Sequence, residues 1–475
     1  MQTDLAIVGA GPGGMAAADM ASRLGLSVMV IDEQGAPGGQ IYRQPPPEFQ
    51  VPDWLTGRAY RQGRDLLKRI VENDSLRLFL RATVSGIDRD QGGSSGVRFK
   101  LTVDGPDRME EIASQAVLLS PGCFDLPLSF PGWNLPGVMA AGGIQAFLKS
   151  QQLVPGTRFV FAGSHPLQLI VADQIAQAGG VVAGVYFSQA PLHVLGMLRS
   201  PLTAATNADA LLQAAGSMWR LRRAGVPVHF GRTVLQADGQ EALQTVRIVP
   251  CSASGAIRKD RAVDVECDRL GVCFGFLASS ELARQSGAAC RWNASRGGWL
   301  VRHDEWFCSS EPGLFVAGEI TAVSGAGVAA LEGELAALGC AIELGRISRD
   351  RAAHMARPLR RRLARLTRFA DMLGELSWPG DHLLDQLMSE SATLCKCEEL
   401  TVGDLRALLE RHPHVSTANA AKLLSRAGMG LCQGRYCQFA LTRLISRHRE
   451  IPPERVGAFT ARFPSKPVDI DRLIP

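Results

Sequence analysis

Four cysteines near the end of this 475-residue chain are spaced as ligands of a metal centre would be. Cys395 and Cys397 form a CxC pair, and Cys432 and Cys437 form a CxxxxC pair further along the chain. Four thiolates that converge on one point suit zinc or an iron–sulfur cluster. Zinc ribbons usually carry CxxC pairs, so this spacing favours iron–sulfur over zinc, and thiols without a metal are the least expected alternative.

The remaining cysteines, out of eleven in total, are scattered singly. This distribution predicts core thiols of a cytoplasmic protein rather than a disulfide framework. The N-terminus has no basic region followed by a long apolar core, so we expect no signal peptide. No stretch reaches the ~20 apolar residues that span a bilayer, and a net charge of +5 does not indicate nucleic acid as a partner.

A glycine motif near the N-terminus predicts a dinucleotide site. It has the GxGxxG register and lies between an apolar strand (residues 5–8) and an Ala-rich helix, followed by a second strand and an acid. Glycine lets the backbone approach a pyrophosphate, the helix N-terminus binds that anion, and the acid accepts ribose hydroxyls. The residues that we expect to contact the dinucleotide here are Gly9, Gly11, Pro12, Gly13, Gly14, Asp32 and Glu33.

Two further segments indicate which dinucleotide is bound. Gly38-Gly39-Gln40 follows the acid closely, and Gly318-Glu319 ends an apolar strand far along the chain. These segments resemble the GG turn and the late AGD/AGE motif of the two-dinucleotide-binding-domain flavoproteins, the glutathione reductase and thioredoxin reductase superfamily. The resemblance implies FAD at the first site, with Gly39, Gln40, Gly318 and Glu319 as additional contacts.

The second dinucleotide motif is degenerate. Residues 156–187 repeat the strand–turn–helix–strand pattern, but His165 and Gln168 replace the middle and third glycines after Gly163. A side chain at the middle position blocks the close approach of backbone to pyrophosphate, and the next strand ends without an acid. We therefore do not expect NAD(P)H to bind. No CxxC lies in this region, so disulfide reductase chemistry is not expected either.

The words around the four cysteines are more specific than their spacing. They are Cys395 to Glu399 (CKCEE) and Arg426 to Cys437 (RAGMGLCQGRYC). They resemble the bacterioferritin-associated-ferredoxin-like [2Fe-2S] domain, a small helical fold. The resemblance assigns all four cysteines as cluster ligands, and the glycines beside Cys432 would let backbone N–H groups approach sulfur.

Taken together, the chain resembles the α subunits of heteromeric flavin-dependent amino-acid and opine dehydrogenases. The shared words, besides the cysteine motif, are Pro37 to Arg43, Phe130 to Trp133, Leu135 to Val138 and Ala330 to Gly333. The family implies that a flavin-containing β subunit oxidises the carbon next to the substrate amine and that the α subunit transfers electrons. It also leaves open an FMN at the subunit interface and a small ferredoxin-like γ subunit.

Two alternative functions compete with this one. The first is a self-contained NAD(P)H-dependent flavin oxidoreductase, which the damage at His165 and Gln168 opposes. The second is a non-enzymatic iron–sulfur module that docks a partner. No histidine or carboxylate stands in a motif that demands a catalytic base, so the catalytic residue is unknown. The substrate, whether glycine, proline, hydroxyproline or an opine, is expected to be selected by the partner subunit.

The expected fold class is α/β, a glutathione reductase-like flavoprotein with a small helical [2Fe-2S] domain. Residues 1–140 and 295–345 form the expected FAD-binding domain, which residues 141–294 interrupt as a degenerate second dinucleotide-binding-like domain. Residues 346–391 are an Arg-rich helical connector, 392–450 the [2Fe-2S] domain, and 451–475 an extended tail.

Overall fold

A computed structural model describes residues 1–46, 48–55, 58–90, 97–190 and 207–472. Parts of the expected second domain (191–206) and of the expected tail (473–475) lie outside the described residues.

The secondary structure alternates between strands and helices through most of the chain. The strands are β1 (Gln2–Val8), β2 (Val28–Asp32), β3 (Leu76–Leu80), β4 (Thr83–Arg89), β5 (Phe99–Asp104), β6 (Met109–Leu119), β7 (Cys123–Asp125), β8 (Val138–Ala140), β9 (Arg158–Gly163), β10 (Val181–Phe187), β11 (Val228–Phe230), β12 (Arg232–Asp238), β13 (Thr245–Pro250), β14 (Val263–Glu266), β15 (Arg269–Cys273), β16 (Phe276–Ala278), β17 (Cys290–Asn293), β18 (Gly298–Val301), β19 (Leu314–Val316), β20 (Thr393–Cys395) and β21 (Leu400–Thr401). The helices are α1 (Pro12–Arg23), α2 (Arg58–Val71), α3 (Ala141–Gln151), α4 (Leu167–Gln177), α5 (Ala208–Arg223), α6 (Glu281–Gln285), α7 (Ala326–Glu343), α8 (Arg349–Ser377), α9 (Asp381–Leu387), α10 (Val402–Arg411), α11 (Ala418–Ser425), α12 (Gln438–Arg449) and α13 (Pro453–Val456).

The first sheet has the order β3-β2-β1-β6-β5-β4, and β19 pairs with β6. Strands β1, β2, β3, β6 and β19 are parallel, so their carboxyl ends meet at one edge of the sheet. Their fully buried apolar side chains pack against α1 and α7 on one face. In an open α/β sheet, ligands bind at the carboxyl edge, so this edge is where a site is expected.

The second sheet has the order β11-β10-β9-β15-β8 and is flanked by the antiparallel meander β12-β13-β14. Strand β8 pairs with β15, so the chain enters this sheet slightly before the boundary that the sequence indicated at residue 140. It also leaves early, because Leu282, Ala283 and Ala288 pack into the core of the first sheet rather than the second. Apolar packing rather than motif position therefore decides both boundaries.

The C-terminal part begins with the long helix α8, whose N-terminus is capped by the Ser348 side chain. Residues 392–450 form a small, mostly helical unit with a buried core and a capping box at Thr401 and Asp404. The last described residues are not a free tail. They include the short helix α13 and then return to the first sheet, where the Ser465 N–H donates to the Ser85 carbonyl at 2.8 Å. A search of the described residues finds no helix with the length and apolar character of a membrane span.

Candidate dinucleotide cavity and cysteine site

The loop after β1 has a conformation that requires glycine. Gly9 has φ +101°, and a Cβ there would lie 2.2 Å from the Ser120 carbonyl oxygen. A Cβ on Gly14 would lie 1.8 Å from the Gly9 carbonyl oxygen. Helix α1 begins at Pro12 with Gly11 as its N-cap, so no side chain covers the free N–H groups of its first turn. This is the geometry that binds an anion at a helix N-terminus.

Asp32 lies at the end of β2 and orders this loop. Its two carboxylate oxygens accept the backbone N–H of Ala10 at 2.6 Å and of Gln34 at 2.8 Å. Burial raises the pKa of Asp32 above its ordinary value, although both hydrogen bonds act in the opposite direction. The next residue, Glu33, forms an ion pair with Lys466 from the C-terminal segment.

The Gly38-Gly39-Gln40 turn contacts the first glycine loop. Gly39 has φ +58°, and a Cβ there would lie 2.9 Å from the Gly11 Cα. The Gln40 side-chain amide donates to the carbonyl of Cys123 at 3.0 Å, which connects the turn to the segment after β6. These contacts bring the first and second predicted motifs together.

The late Gly318-Glu319 motif joins the same edge, and a third acid supports it. The Glu332 carboxylate accepts the Gly318 N–H and the Thr321 hydroxyl, both at 2.8 Å. Glu319 accepts the backbone N–H groups of Ser324 and Gly325 at 3.0 and 2.9 Å. Burial raises the pKa of Glu319 to about 7 and that of Glu332 to about 8. Both acids can therefore hold a proton near neutral pH.

These segments surround one elongated cavity of about 630 Å³. It is lined by every dinucleotide-binding residue that the sequence indicated except Gly14, which lies behind the turn. The lining residues from the sequence-based set are Gly9, Gly11, Pro12, Gly13, Asp32, Glu33, Gly39, Gln40, Gly318 and Glu319. The cavity thus has a helix N-terminus and glycine turns at its centre and acids at two places along its wall.

His165, from the degenerate motif, also lines this cavity. Its Nδ1 atom accepts the Leu167 N–H at 3.2 Å, and its ring packs edge-on against Phe276 with 5.0 Å between centroids. Burial lowers the pKa of His165 to about 4, so the ring is neutral at physiological pH. Gln168 is fully buried, and in the described part of the chain neither polar atom of its side chain has a hydrogen-bond partner.

The four cysteines of the C-terminal unit lie at a separate site. Cys395 ends β20, Cys437 precedes α12, and both are buried, whereas Cys397 is exposed and Cys432 half-buried. Their thiols interact in two pairs, Cys395 with Cys437 and Cys397 with Cys432. The hydrogen bond with Cys437 lowers the pKa of the Cys395 thiol to about 5.

Gly430 allows the two cysteine segments to approach each other. A Cβ on Gly430 would lie 2.2 Å from the Cys397 Cβ, so the loop before Cys432 packs directly on the CxC turn. Among the described residues, no three or more His, Cys, Asp or Glu side chains are placed to hold a single metal ion. The four thiols are therefore neighbours in two pairs, and a cluster on them stays a prediction.

The cysteine loop packs against the wall of the dinucleotide cavity. The Arg435 guanidinium lies 5.3 Å from the centre of the Phe124 ring, and both residues line the dinucleotide cavity. Both also line a second cavity of about 730 Å³ beside Cys432. The Trp133 indole N–H donates to the Thr393 carbonyl at 2.6 Å, which fixes the cysteine unit to the second domain.

The fold and the cavity define a two-dinucleotide-binding-domain flavoprotein of the α/β class. The chain belongs to the pyridine nucleotide-disulphide oxidoreductase family, which matches residues 3–345. This is a family of flavin oxidoreductases, so the predicted fold class is confirmed.

Similar proteins extend the match beyond that family region. The chain is 31% identical over 471 residues to hydrogen cyanide synthase subunit HcnB of Pseudomonas aeruginosa, covering 97% of this chain and 96% of that protein. It is 32% identical over 482 residues to an opine oxidase subunit of Agrobacterium tumefaciens, covering 99% and 91%. These relatives confirm the family resemblance drawn from the sequence words.

Solved structures show the same fold. L-proline dehydrogenase from P. horikoshii superimposes with a TM-score of 0.70 at 20% identity, covering all of this chain and 80% of that chain. Thioredoxin reductase from Lactococcus lactis superimposes with a TM-score of 0.50 at 14% identity, covering 73% of this chain and 100% of that chain.

Proposed function

We propose that this chain is the electron-transferring α subunit of a heteromeric flavin-dependent dehydrogenase. Its substrate class is an amino acid, imino acid or opine, oxidised at the carbon next to the amine in a flavin-containing β subunit. The proposal assigns FAD to the 630 Å³ cavity and a [2Fe-2S] cluster to the four cysteines. The observation that carries it is the contact of Arg435 with Phe124, which sets the cysteine loop against the cavity wall.

The cavity fits FAD in shape and charge. The N-terminal turn of α1 offers N–H groups to the pyrophosphate beside Gly9, where a Cβ would collide with backbone. Asp32 and Glu33 offer oxygens to ribose hydroxyls at one end, and Gly318 and Glu319 lie further along the lining. When bound there, FAD supplies two-electron redox chemistry.

The proton state of the flavin end follows from the buried acids. Glu319, with a pKa of about 7, can donate or accept a hydrogen bond near neutral pH. Glu332 holds Gly318 in place through its N–H, so the turn that carries Glu319 is fixed. The neutral His165 ring, with Phe276, covers the side of the cavity that faces the second domain and excludes water there.

The cysteine site fits an iron–sulfur cluster in its donor chemistry. Cys395, Cys397, Cys432 and Cys437 would provide four thiolates, the ligand set of a [2Fe-2S] centre, which supplies one-electron chemistry when bound. The lowered pKa of Cys395 means that one of the buried thiols is already a thiolate at neutral pH. Gly430 lets the two cysteine segments meet, and positive-φ Gly434 lies between Cys432 and Cys437.

The relatives support a partner subunit for this chain. The HcnB protein of hydrogen cyanide synthase and the opine oxidase relative are each named as one subunit of an enzyme. The structural neighbour is named as an L-proline dehydrogenase. All three names concern chemistry at an amine-bearing substrate, which is why the proposal takes this substrate class. An FMN at the interface with the β subunit and a small γ subunit extend the same proposal.

The test compares the chain alone with the chain co-expressed with its β partner. Flavin and iron contents and absorbance spectra are measured, and glycine, proline, hydroxyproline and octopine are added in turn. We expect a flavin envelope and a reducible [2Fe-2S] signal in the lone chain, with bleaching by a substrate only when the partner is present. Bleaching of the lone chain by one of these amines or by NADH would show that catalysis resides in this chain instead. A lone chain without flavin would support a docking module.

A further inference from the structure

The C-terminal segment reaches the dinucleotide cavity from the opposite end of the sequence. Lys466 and Ser465 both line the cavity, together with Thr83 and Val84 of β4. Lys466 pairs with Glu33, directly after β2 and at the end of the cavity that Asp32 also lines. More than 430 positions separate the two partners, so no local motif connects them.

This segment is anchored on both sides of the lysine. The Ser465 N–H donates to the Ser85 carbonyl at 2.8 Å, and the Ser465 hydroxyl to the Val84 carbonyl at 3.3 Å. Further along, the Arg472 guanidinium donates to the Gly105 carbonyl at 2.7 Å. The backbone around Lys466 is therefore fixed to β4 and to the turn after β5, and the ammonium group is held at the cavity rather than in solvent.

A second anchor comes from the cysteine loop. The Gln433 side-chain amide donates to the Pro464 carbonyl at 3.3 Å, two residues before Lys466. The Phe463 ring packs on Gly86, where a Cβ would lie 2.6 Å from a ring carbon. The C-terminal unit thus holds the segment against the strand that lines the cavity.

We infer that Lys466 is a dinucleotide-binding residue that acts on the adenosine half of the ligand. This inference rests on the proposed function. The ion pair with Glu33 is half-exposed, so on its own it is worth little to stability. Its position gives it a second role, because a fixed ammonium beside two carboxylates orients oxygens for ribose hydroxyls and offers its own N–H donors to the ribose and adenine.

The charge at this end also limits which nucleotide fits. Asp32 and Glu33 carry two negative charges against the one positive charge of Lys466, and the lysine is among the groups that lower the pKa of Asp32. A ligand with free ribose hydroxyls matches this balance, whereas an additional phosphate on that ribose would meet two acids. FAD and ADP share the matching adenosine half.

The experiment measures the binding of FAD and ADP to the full-length, nucleotide-free protein. Lys466→Met keeps the aliphatic stem and removes the charge, and Lys466→Arg restores a cation. Lys259→Ala, at an exposed lysine of the second domain, is the matched control. We expect Lys466→Met to raise the Kd of both ligands about tenfold, with Lys466→Arg within about threefold of wild type and Lys259→Ala unchanged.

The outcomes separate the inference from the proposed function. If wild type binds FAD and Lys466→Met binds both ligands as Lys259→Ala does, Lys466 is only a structural contact and the inference fails alone. If Lys466→Met weakens FAD but not ADP, the lysine does not act on the adenosine half. If wild type binds neither ligand, the proposed FAD site fails and this inference with it. Circular dichroism of each variant checks that the fold is intact.

Discussion

Gly333 in α7 packs directly on the backbone of Gly13 in α1. A Cβ added to Gly333 would lie 2.0 Å from the Gly13 carbonyl oxygen and 3.1 Å from the Ala17 nitrogen. Both neighbouring atoms belong to backbone, so neither can rotate away. We predict that Gly333→Ala forces the two helices apart and costs about 1–3 kcal/mol of the free energy of unfolding, despite the better helix propensity of alanine.

The same variant is expected to weaken FAD binding, because Gly13 lies in the first turn of α1 at the cavity. Urea denaturation and FAD titration measure the two effects. Gly143→Ala in α3 is the matched control, since a Cβ at Gly143 meets no atom within 4 Å. It is expected to be neutral or to stabilise by up to about 1 kcal/mol. Equal stability of the two variants would contradict the close packing of α1 on α7.

Glu332 makes the stability of the protein dependent on pH. Burial raises its pKa from 4.5 to about 8, so the folded state binds a proton that the unfolded state releases. Its contribution is fully present below pH 4.5 and is lost as the pH rises through about 8. We predict that Glu332→Gln, which stays neutral and keeps an acceptor for the Gly318 N–H, reduces this loss by about 2 kcal/mol or more.

The measurement is the urea midpoint of the nucleotide-free protein across that pH interval. Glu410→Gln, at an exposed position on α10, controls for the general effect of removing one negative charge. If Glu332→Gln and wild type lose stability in parallel as the pH rises, Glu332 is ionised throughout and burial does not raise its pKa.

The sequence was sufficient for the central part of the cavity. Gly9 and Gly39 could be identified because glycine is the residue that a positive φ and close backbone contact require, and such positions recur at fixed spacing. Gly318 and Glu319 depended on resemblance to a family, since spacing alone does not place a residue some 300 positions away at the same sheet edge. The strands and helices of the first βαβ unit followed from apolar periodicity.

The outer wall of the cavity was beyond sequence reasoning. Lys466, Arg435 and His165 line it, yet none belongs to a dinucleotide motif that predicts its position. Each reaches the cavity because a separate unit packs on the first sheet, and such packing depends on the whole surface rather than on a local pattern. Glu332 lies within a word shared with the family, but only the three-dimensional structure places its carboxylate on the Gly318 N–H.

Gln168 stands where a dinucleotide motif has its third glycine, and its side chain is buried without partners in the described part of the chain. Burying an amide without hydrogen bonds is costly, and leucine has a similar volume without the polar atoms. We therefore predict that Gln168→Leu stabilises the protein by about 1–2 kcal/mol, measured as an increase in the urea midpoint.

The matched control is Gln145→Leu. Gln145 is also buried, but its side-chain amide donates to the Gln174 oxygen at 3.0 Å. Its replacement leaves that oxygen without its donor and is expected to destabilise by about 1 kcal/mol. A loss of stability in Gln168→Leu similar to that in Gln145→Leu would mean that a buried water or ligand satisfies Gln168.

The four clustered cysteines should behave alike if they hold one centre. We predict that serine at Cys395, Cys397, Cys432 or Cys437 lowers the iron content of the purified chain from about two atoms to near zero. The buried pair is expected to cost stability as well, because Cys395 and Cys437 lie in the core of the C-terminal unit. Metal analysis by mass spectrometry and the visible spectrum of anaerobically purified protein measure both iron and zinc.

Cys290→Ser is the matched control for these variants. Cys290 is a half-buried thiol in β17, with its sulfur 3.6 Å from the Ala288 carbonyl, and it packs against the core of the first sheet. Its replacement is expected to leave the iron content unchanged. Zinc in place of iron in the wild-type chain would contradict the [2Fe-2S] assignment. Full iron retention in Cys397→Ser would show that the exposed thiol is no ligand, since a cluster missing one thiolate is expected to be lost on purification.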